Sequence, residues 1–141
     1  MLLLSGEVAV AQDGVVTTSS ALSFGETLAR LQAAMQDRGL AVFATIDHAA
    51  GASEVGMELR PTTVIIFGNP RAGTPLMQAQ QPIGLDLPLR MLVWQDGEGK
   101  VWTSYNDPAW LAHRHGVDPS LPPIAVMMDG LSALADTAGK P

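Results

Sequence analysis

The stretch RPTTVIIFGNPRAGTPLM, residues 60–77, sets the terms for reading the rest of the chain. Pro61 disfavours helical backbone at Arg60, and the β-branched run that follows predicts a strand ending at Gly68. Gly68-Asn69-Pro70-Arg71-Ala72-Gly73 then matches the first six positions of the phosphate-binding G-x-x-x-x-G-K-[ST] loop, which also follows a strand. The match ends there. Thr74 stands where the phosphate-binding lysine belongs and Pro75 where the magnesium-binding hydroxyl belongs, and Pro70 and Pro75 remove two backbone N–H donors. The stretch therefore predicts a strand that exits into a rigid glycine and proline turn, with Leu76 and Met77 packing back on the core. A weak anion site made of Arg71 and the free amides of Gly73 and Thr74 is the functional alternative.

Toward the N-terminus, LAVFATI at 40–46 is apolar on both alternations and predicts a buried strand with Asp47 and His48 at its end. The segment 49–59 carries two glycines and has room for at most a short helix. Ser23-Phe24-Gly25-Glu26 is a capping box that opens a helix, Phe24, Leu28, Leu31 and Met35 form its apolar stripe, and Gly39 stops it. GVVTTSSA at 14–21 predicts a first strand. Toward the C-terminus, 87–96 and 100–105 flank Gly97-Glu98-Gly99 and predict a hairpin with Trp94 paired to Trp102. Asn106-Asp107-Pro108 supplies a cap and a first-turn proline for a brief helix ending at Gly116. Ile124, Met127, Met128, Leu131, Leu134 and Ala135 recur at helical spacing, interrupted mildly by Gly130. The sum is a single α+β domain over 14–141, with a largely antiparallel sheet of about five strands and helices on one face.

The 141 residues suffice for one core, and 47% apolar with 16% charged residues is a globular balance. A net charge of -6 with eight scattered basic residues argues against nucleic acid as a partner. No apolar run is long enough to cross a bilayer. Without cysteine, disulfides, thiolate nucleophiles and Cys-type metal sites are all excluded. Residues 1–13 combine a leucine run with Val8-Ala9-Val10-Ala11 and read as a tail or the remnant of an export leader. On these residues alone a periplasmic and a cytoplasmic location stay equally open.

His48, at a strand end, is the first candidate for acid–base or metal chemistry. Asp47 does not orient it, because neighbours along a strand point to opposite faces. His113 and His115 make a weak metal pair and are expected to be solvated. Core packing explains most of the seven methionines, leaving Met57 and Met77 as soft ligands that could join His48. No G-x-S-x-G elbow is present, and Asp86 stands between apolar residues just before a strand.

Six motifs in order resemble the bacterial and archaeal family known as domain of unknown function 302. They are Thr45-Ile46-Asp47-His48, Leu59-Arg60-Pro61-Thr62, Ile66-Phe67-Gly68-Asn69-Pro70, Gly73-Thr74-Pro75-Leu76-Met77, Asp86-Leu87-Pro88-Leu89 and Ser104-Tyr105-Asn106-Asp107-Pro108. The resemblance implies a curved antiparallel sheet backed by helices and a homodimer, often with an exported leader, which makes a periplasmic location the expectation and a cytoplasmic one the alternative. It implies no activity, cofactor or catalytic residue. Two expectations follow. One is a homodimeric module that holds a small ligand or a metal in a pocket rimmed by the 67–77 loop with Asn69, Arg71 and Thr74, by His48, Asp86 and the Tyr105-Asn106 turn. The other is a small enzyme with His48 as acid or base and Asn69, Arg71 and Asp86 as substrate contacts.

Overall fold

The structure, a computed structural model, describes residues 8–11 and 13–141. The leucine run and Glu7 of the leader-like segment lie outside the described residues. The elements in chain order are β1 (Val8–Val10), β2 (Val15–Ser20), α1 (Phe24–Asp37), β3 (Ala41–Asp47), α2 (His48–Glu54), β4 (Thr62–Gly68) and α3 (Pro70–Ala79). A 3-10 helix (Gln81–Asp86), β5 (Leu89–Gln95), β6 (Val101–Asn106), α4 (Pro108–His115) and α5 (Pro122–Ala138) complete the chain. The six strands form one sheet in the order β1-β2-β6-β5-β4-β3, and every neighbouring pair is antiparallel. The sixth strand, β1, comes from the segment read as a tail.

Alternation along the central strands decides which face is covered. Thr63, Ile65 and Phe67 of β4 are buried while Val64 and Ile66 are not, and Met91 and Val93 continue the covered face on β5. Leu31, Ala34 and Met35 of α1 and Leu131, Leu134, Ala135 and Ala138 of α5 close over it. A second cluster of Leu76, Ile83, Ala112, Val117, Ile124 and Met127 ties α3, the 3-10 helix, α4 and α5 together. Met128, placed by its spacing in the apolar stripe of α5, is instead exposed. It is one position past Met127 and so turned about 100° away from the core.

Local signals formed the expected ends. Ser23 Oγ accepts from the Glu26 amide, although the Glu26 carboxylate takes the Ser23 hydroxyl rather than its amide. Arg38 caps α1, and the bonds Gly39 N to Gln36 O and Leu40 N to Met35 O, with Gly39 at φ 67°, make a Schellman stop. The hairpin pairs Trp94 with Trp102, stacked at 6.1 Å. In its turn the Trp102 indole, and then the amides of Glu98 and Lys100, donate to Asp96 and hold that carboxyl below its ordinary range.

Two expectations are corrected. The 40–46 strand is not buried: β3 lies at the edge of the sheet, and Val42, Phe43 and Ile46 are exposed. Among the described residues no further strand pairs with its outer edge, and the helix layer reaches it only slightly. The turn expected after Gly68 is a ten-residue helix, α3. Asn69 Oδ1 accepts from the Arg71 amide and Pro70 takes the first helical position. Pro75 is tolerated because the Arg71 carbonyl it leaves without a donor lies on the exposed side of the helix, within reach of water.

Candidate ligand pocket

The end of the sheet where β4 stops and β5 starts carries a cavity of about 430 Å³. Phe67 and Leu89 form its floor, α3 contributes Ala72, Gly73, Thr74 and Met77, and α5 contributes Val126, Met127, Gly130, Leu131 and Leu134. Arg38 and Leu40, just beyond α1, and Phe43 of β3 complete the wall. Phe43 is the bulged residue between Val42 and Ala44, which swings its ring to within 3.9 Å of where a Gly68 side chain would begin. Among the described residues the lining is apolar except for Arg38, Asn69 and Thr74, and it contains no carboxylate.

Both helical walls carry a glycine. A Cβ added at Gly130 meets nothing within 4 Å, and one at Gly73 meets only Leu87 and Met77 at ordinary contact distance. Neither glycine has a positive φ, so no turn demands it. A mid-helix glycine costs about 1 kcal/mol relative to alanine. At Gly130 that cost leaves open volume in the cavity wall.

The expected composite site divides into separate places. Asn69, Thr74 and Met77 do meet, at this cavity. His48 does not join them. Ala41 pairs with Gly68 and Asp47 with Thr63, so His48 lies a full strand away from Asn69, roughly 20 Å at about 3.3 Å per residue. Its neighbour Asp47 caps α2 by accepting from the Ala50 amide. Met57, exposed after α2, is likewise separated from Met77, which faces the cavity beyond the other end of β4. The set His48, Met57 and Met77 therefore cannot hold one metal ion, and the described residues contain no cluster of three His, Asp or Glu that could. Arg71 is exposed and outside the lining, and the Gly73 amide already donates to the Asn69 carbonyl, so the weak anion site does not form. Helix formation has used the amides that a turn would have left free.

Asp86, at the end of the 3-10 helix, is held by Arg114 Nη1 at 3.0 and 3.1 Å and by His115 Nε2 at 2.5 Å. His115 is thus largely buried against a carboxylate rather than solvated, while His113 is exposed as expected. Asp86 and Asn106 share a second hollow of about 90 Å³ with Arg90. Tyr105 is buried in the core, where burial, and then the Asp107 charge, push its phenol above the ordinary value, so it is neutral at physiological pH. The pairing at Asp86 clamps the 3-10 helix to α4. Asp86→Ala is expected to cost about 2 kcal/mol, a fall of roughly 6 °C in Tm, because it strands a largely buried imidazole and a half-exposed guanidinium. A thermal melt unchanged from wild type would mean that the clamp carries no stability.

The sequence reading missed Arg38, Phe43, Val126 and Gly130. Only Gly130 left a local trace, as a glycine inside an otherwise regular apolar stripe.

Comparison with known proteins places this geometry. The family described as domain of unknown function DUF302 matches residues 15–135. The chain belongs to that family. A solved structure, of the uncharacterized conserved protein DUF302 from Bacillus stearothermophilus, superposes with a TM-score of 0.79 at 22% identity. The match covers 91% of this DUF302 chain and 99% of that one, and it shares the fold. Over 108 residues, 77% of its length, the chain is 53% identical to proteins named fluoride-specific ion channel FluC 1 from Brucella suis and Brucella abortus. The matched segment makes up 42% and 40% of those proteins, so this DUF302 chain spans about two-fifths of their length. None of its described helices is long and apolar enough to cross a membrane.

Proposed function

We propose that this DUF302 domain is a small-ligand-binding module that acts as a homodimer. The observation that carries the binding role is the glycine-notched apolar cavity. Its volume lies in the range of small-molecule sites, its lining is largely apolar, and a few polar groups converge on it. Stability alone would favour a side chain at Gly130, since a helix gains from it and the space is vacant. A binding role explains why the space is kept.

Catalysis has less support. His48 stands about 20 Å from Asn69, and the Asp86 carboxylate is already engaged by two basic side chains. The binding reading is tested with the probe 1-anilinonaphthalene-8-sulfonate. Wild type is expected to enhance its fluorescence at micromolar concentration, and Gly130→Leu, which fills the cavity from a vacant position, is expected to abolish the enhancement while raising Tm. Equal enhancement by both proteins would sink the pocket as the binding site.

The homodimer reading draws on β3. An edge strand offers unpaired N–H and C=O groups, and here it also exposes Val42 and Ile46, with Val55, Met57 and Leu59 exposed in the segment that follows α2. Such an edge invites pairing with another chain unless something covers it. The β3 strand of a second copy would continue the sheet and bury both apolar edges. Sedimentation is expected to give a dimer at micromolar concentration and a monomer for the double variant Val42→Lys, Ile46→Lys. A monomeric wild type would overturn this part of the proposal.

A further inference from the structure

We propose that the ligand is an amphipathic monocarboxylate whose chain fills the cavity and whose carboxylate rests on Arg38. This deepens the binding role proposed above and rests on it. Three observations lead to this ligand class.

The first is charge. The chain has fourteen acidic and eight basic residues, yet among the described residues Arg38 is the one charged residue in the lining, with no Asp or Glu beside it there. Its guanidinium makes no ion pair or hydrogen bond among the described residues, in contrast to Arg114 on Asp86. An unpaired guanidinium beside apolar walls favours an anion, and its planar fork matches a carboxylate bidentately. With a single cation on the site, a monoanion balances the charge and a phosphate dianion does not.

The second is the supply of other donors. The first turn of α3 borders the cavity, but its amides are used: Arg71 N donates to Asn69 Oδ1, and Ala72 N and Gly73 N donate to the Asn69 carbonyl. The helix start therefore offers no nest for phosphate oxygens. What remains free is the Asn69 side-chain NH₂ and the Thr74 hydroxyl, neither of which has a partner among the described residues. These neutral groups suit a head group already neutralised by Arg38.

The third is the shape of the apolar part. Phe43 and Val126 stand at the mouth with 56% and 63% of their surface exposed, and the floor beneath them is the fully buried Phe67 with Leu131 and Leu134. An alkyl or aryl chain of moderate length would reach from the Arg38 rim to that floor and cover both mouth residues. A purely polar acid would leave them wet.

The test is calorimetric titration of the full chain with decanoate, decanol and decyltrimethylammonium. Wild type is expected to bind decanoate at least ten-fold more tightly than decanol and to reject the cation. Each methylene removed from the acid should weaken binding by about four-fold. Arg38→Gln should remove the preference for the acid and leave decanol affinity unchanged, and Arg38→Lys should keep part of it. Arg38 is exposed, and a thermal melt identical to wild type would confirm that these variants fold. Equal affinity for acid and alcohol, or a preference that survives Arg38→Gln, would overturn the carboxylate assignment. Decanol binding blocked by Gly130→Leu would in that case leave the pocket itself standing. No binding of any of the three by wild type would overturn both.

Discussion

Gly14→Ala is expected to lower stability by about 3 kcal/mol or more, a fall in Tm of roughly 10 °C, with loss of the contact between α4 and the sheet. Two effects add. Gly14 has φ 82°, a left-handed conformation that costs a residue with a Cβ about 1–2 kcal/mol. A Cβ there would also lie 2.2 Å from Trp110 Cγ and 2.6 Å from Trp110 Cβ, so α4 sits directly on this backbone. Neither side can give way easily. The Gly14 amide bonds the Ala11 carbonyl and its carbonyl accepts from the Asp107 amide, which holds the turn in place against the start of α4. A melt within 2 °C of wild type, by the roughly 3 °C per kcal/mol scale for a chain of this size, would mean that Trp110 does not pack there.

The second large effect is expected at Phe67. Phe67→Ala should cost about 3 kcal/mol or more, in the range for deleting a buried aromatic side chain. The informative control is Phe43→Ala. Both rings line the same cavity, but Phe67 is 2% exposed and Phe43 is 56% exposed. Loss of the second should change stability by less than about 1 kcal/mol and act on binding alone. Parallel denaturant titrations would separate them, and equal costs at the two positions would contradict the assignment of one ring to the floor and the other to the mouth. The comparison also bears on how the pocket is built. Its floor belongs to the same core that holds the sheet to α1 and α5, so the floor is rigid, while its mouth is made of side chains that the core does not need.

How much of this was readable in advance depends on the range of the interactions involved. Ser23 with Glu26, Gly39 after α1, Asp107-Pro108 before α4 and the glycines between the two tryptophan strands act within about six residues, and each produced the element it predicted. The helix at 70–79 carried the same kind of signal. Asn69-Pro70 is a cap and a first-turn proline just as Asp107-Pro108 is, but Pro75 and two glycines argued for a turn, and packing of Leu76 into the second apolar cluster overrode them. The family, too, was legible, because its motifs are short and ordered along the chain.

The sites were less legible, for a physical reason. An apolar strand reads the same at a sheet edge as at its centre, so only the strand order put β3 outside and His48 a strand's length from Asn69. His115 looked solvated until the fold brought it to Asp86, twenty-nine positions away. Arg38, Phe43, Phe67, Thr74 and Gly130 span more than ninety positions and share no spacing, yet they line one cavity. Sequence by itself determined the α+β class, the ends of α1 and α4 and the hairpin, because hydrogen-bonding and conformational preferences belong to individual residues and their near neighbours. Tertiary structure alone decided where a ligand could sit, because a cavity is the volume left between elements and no single segment encodes it.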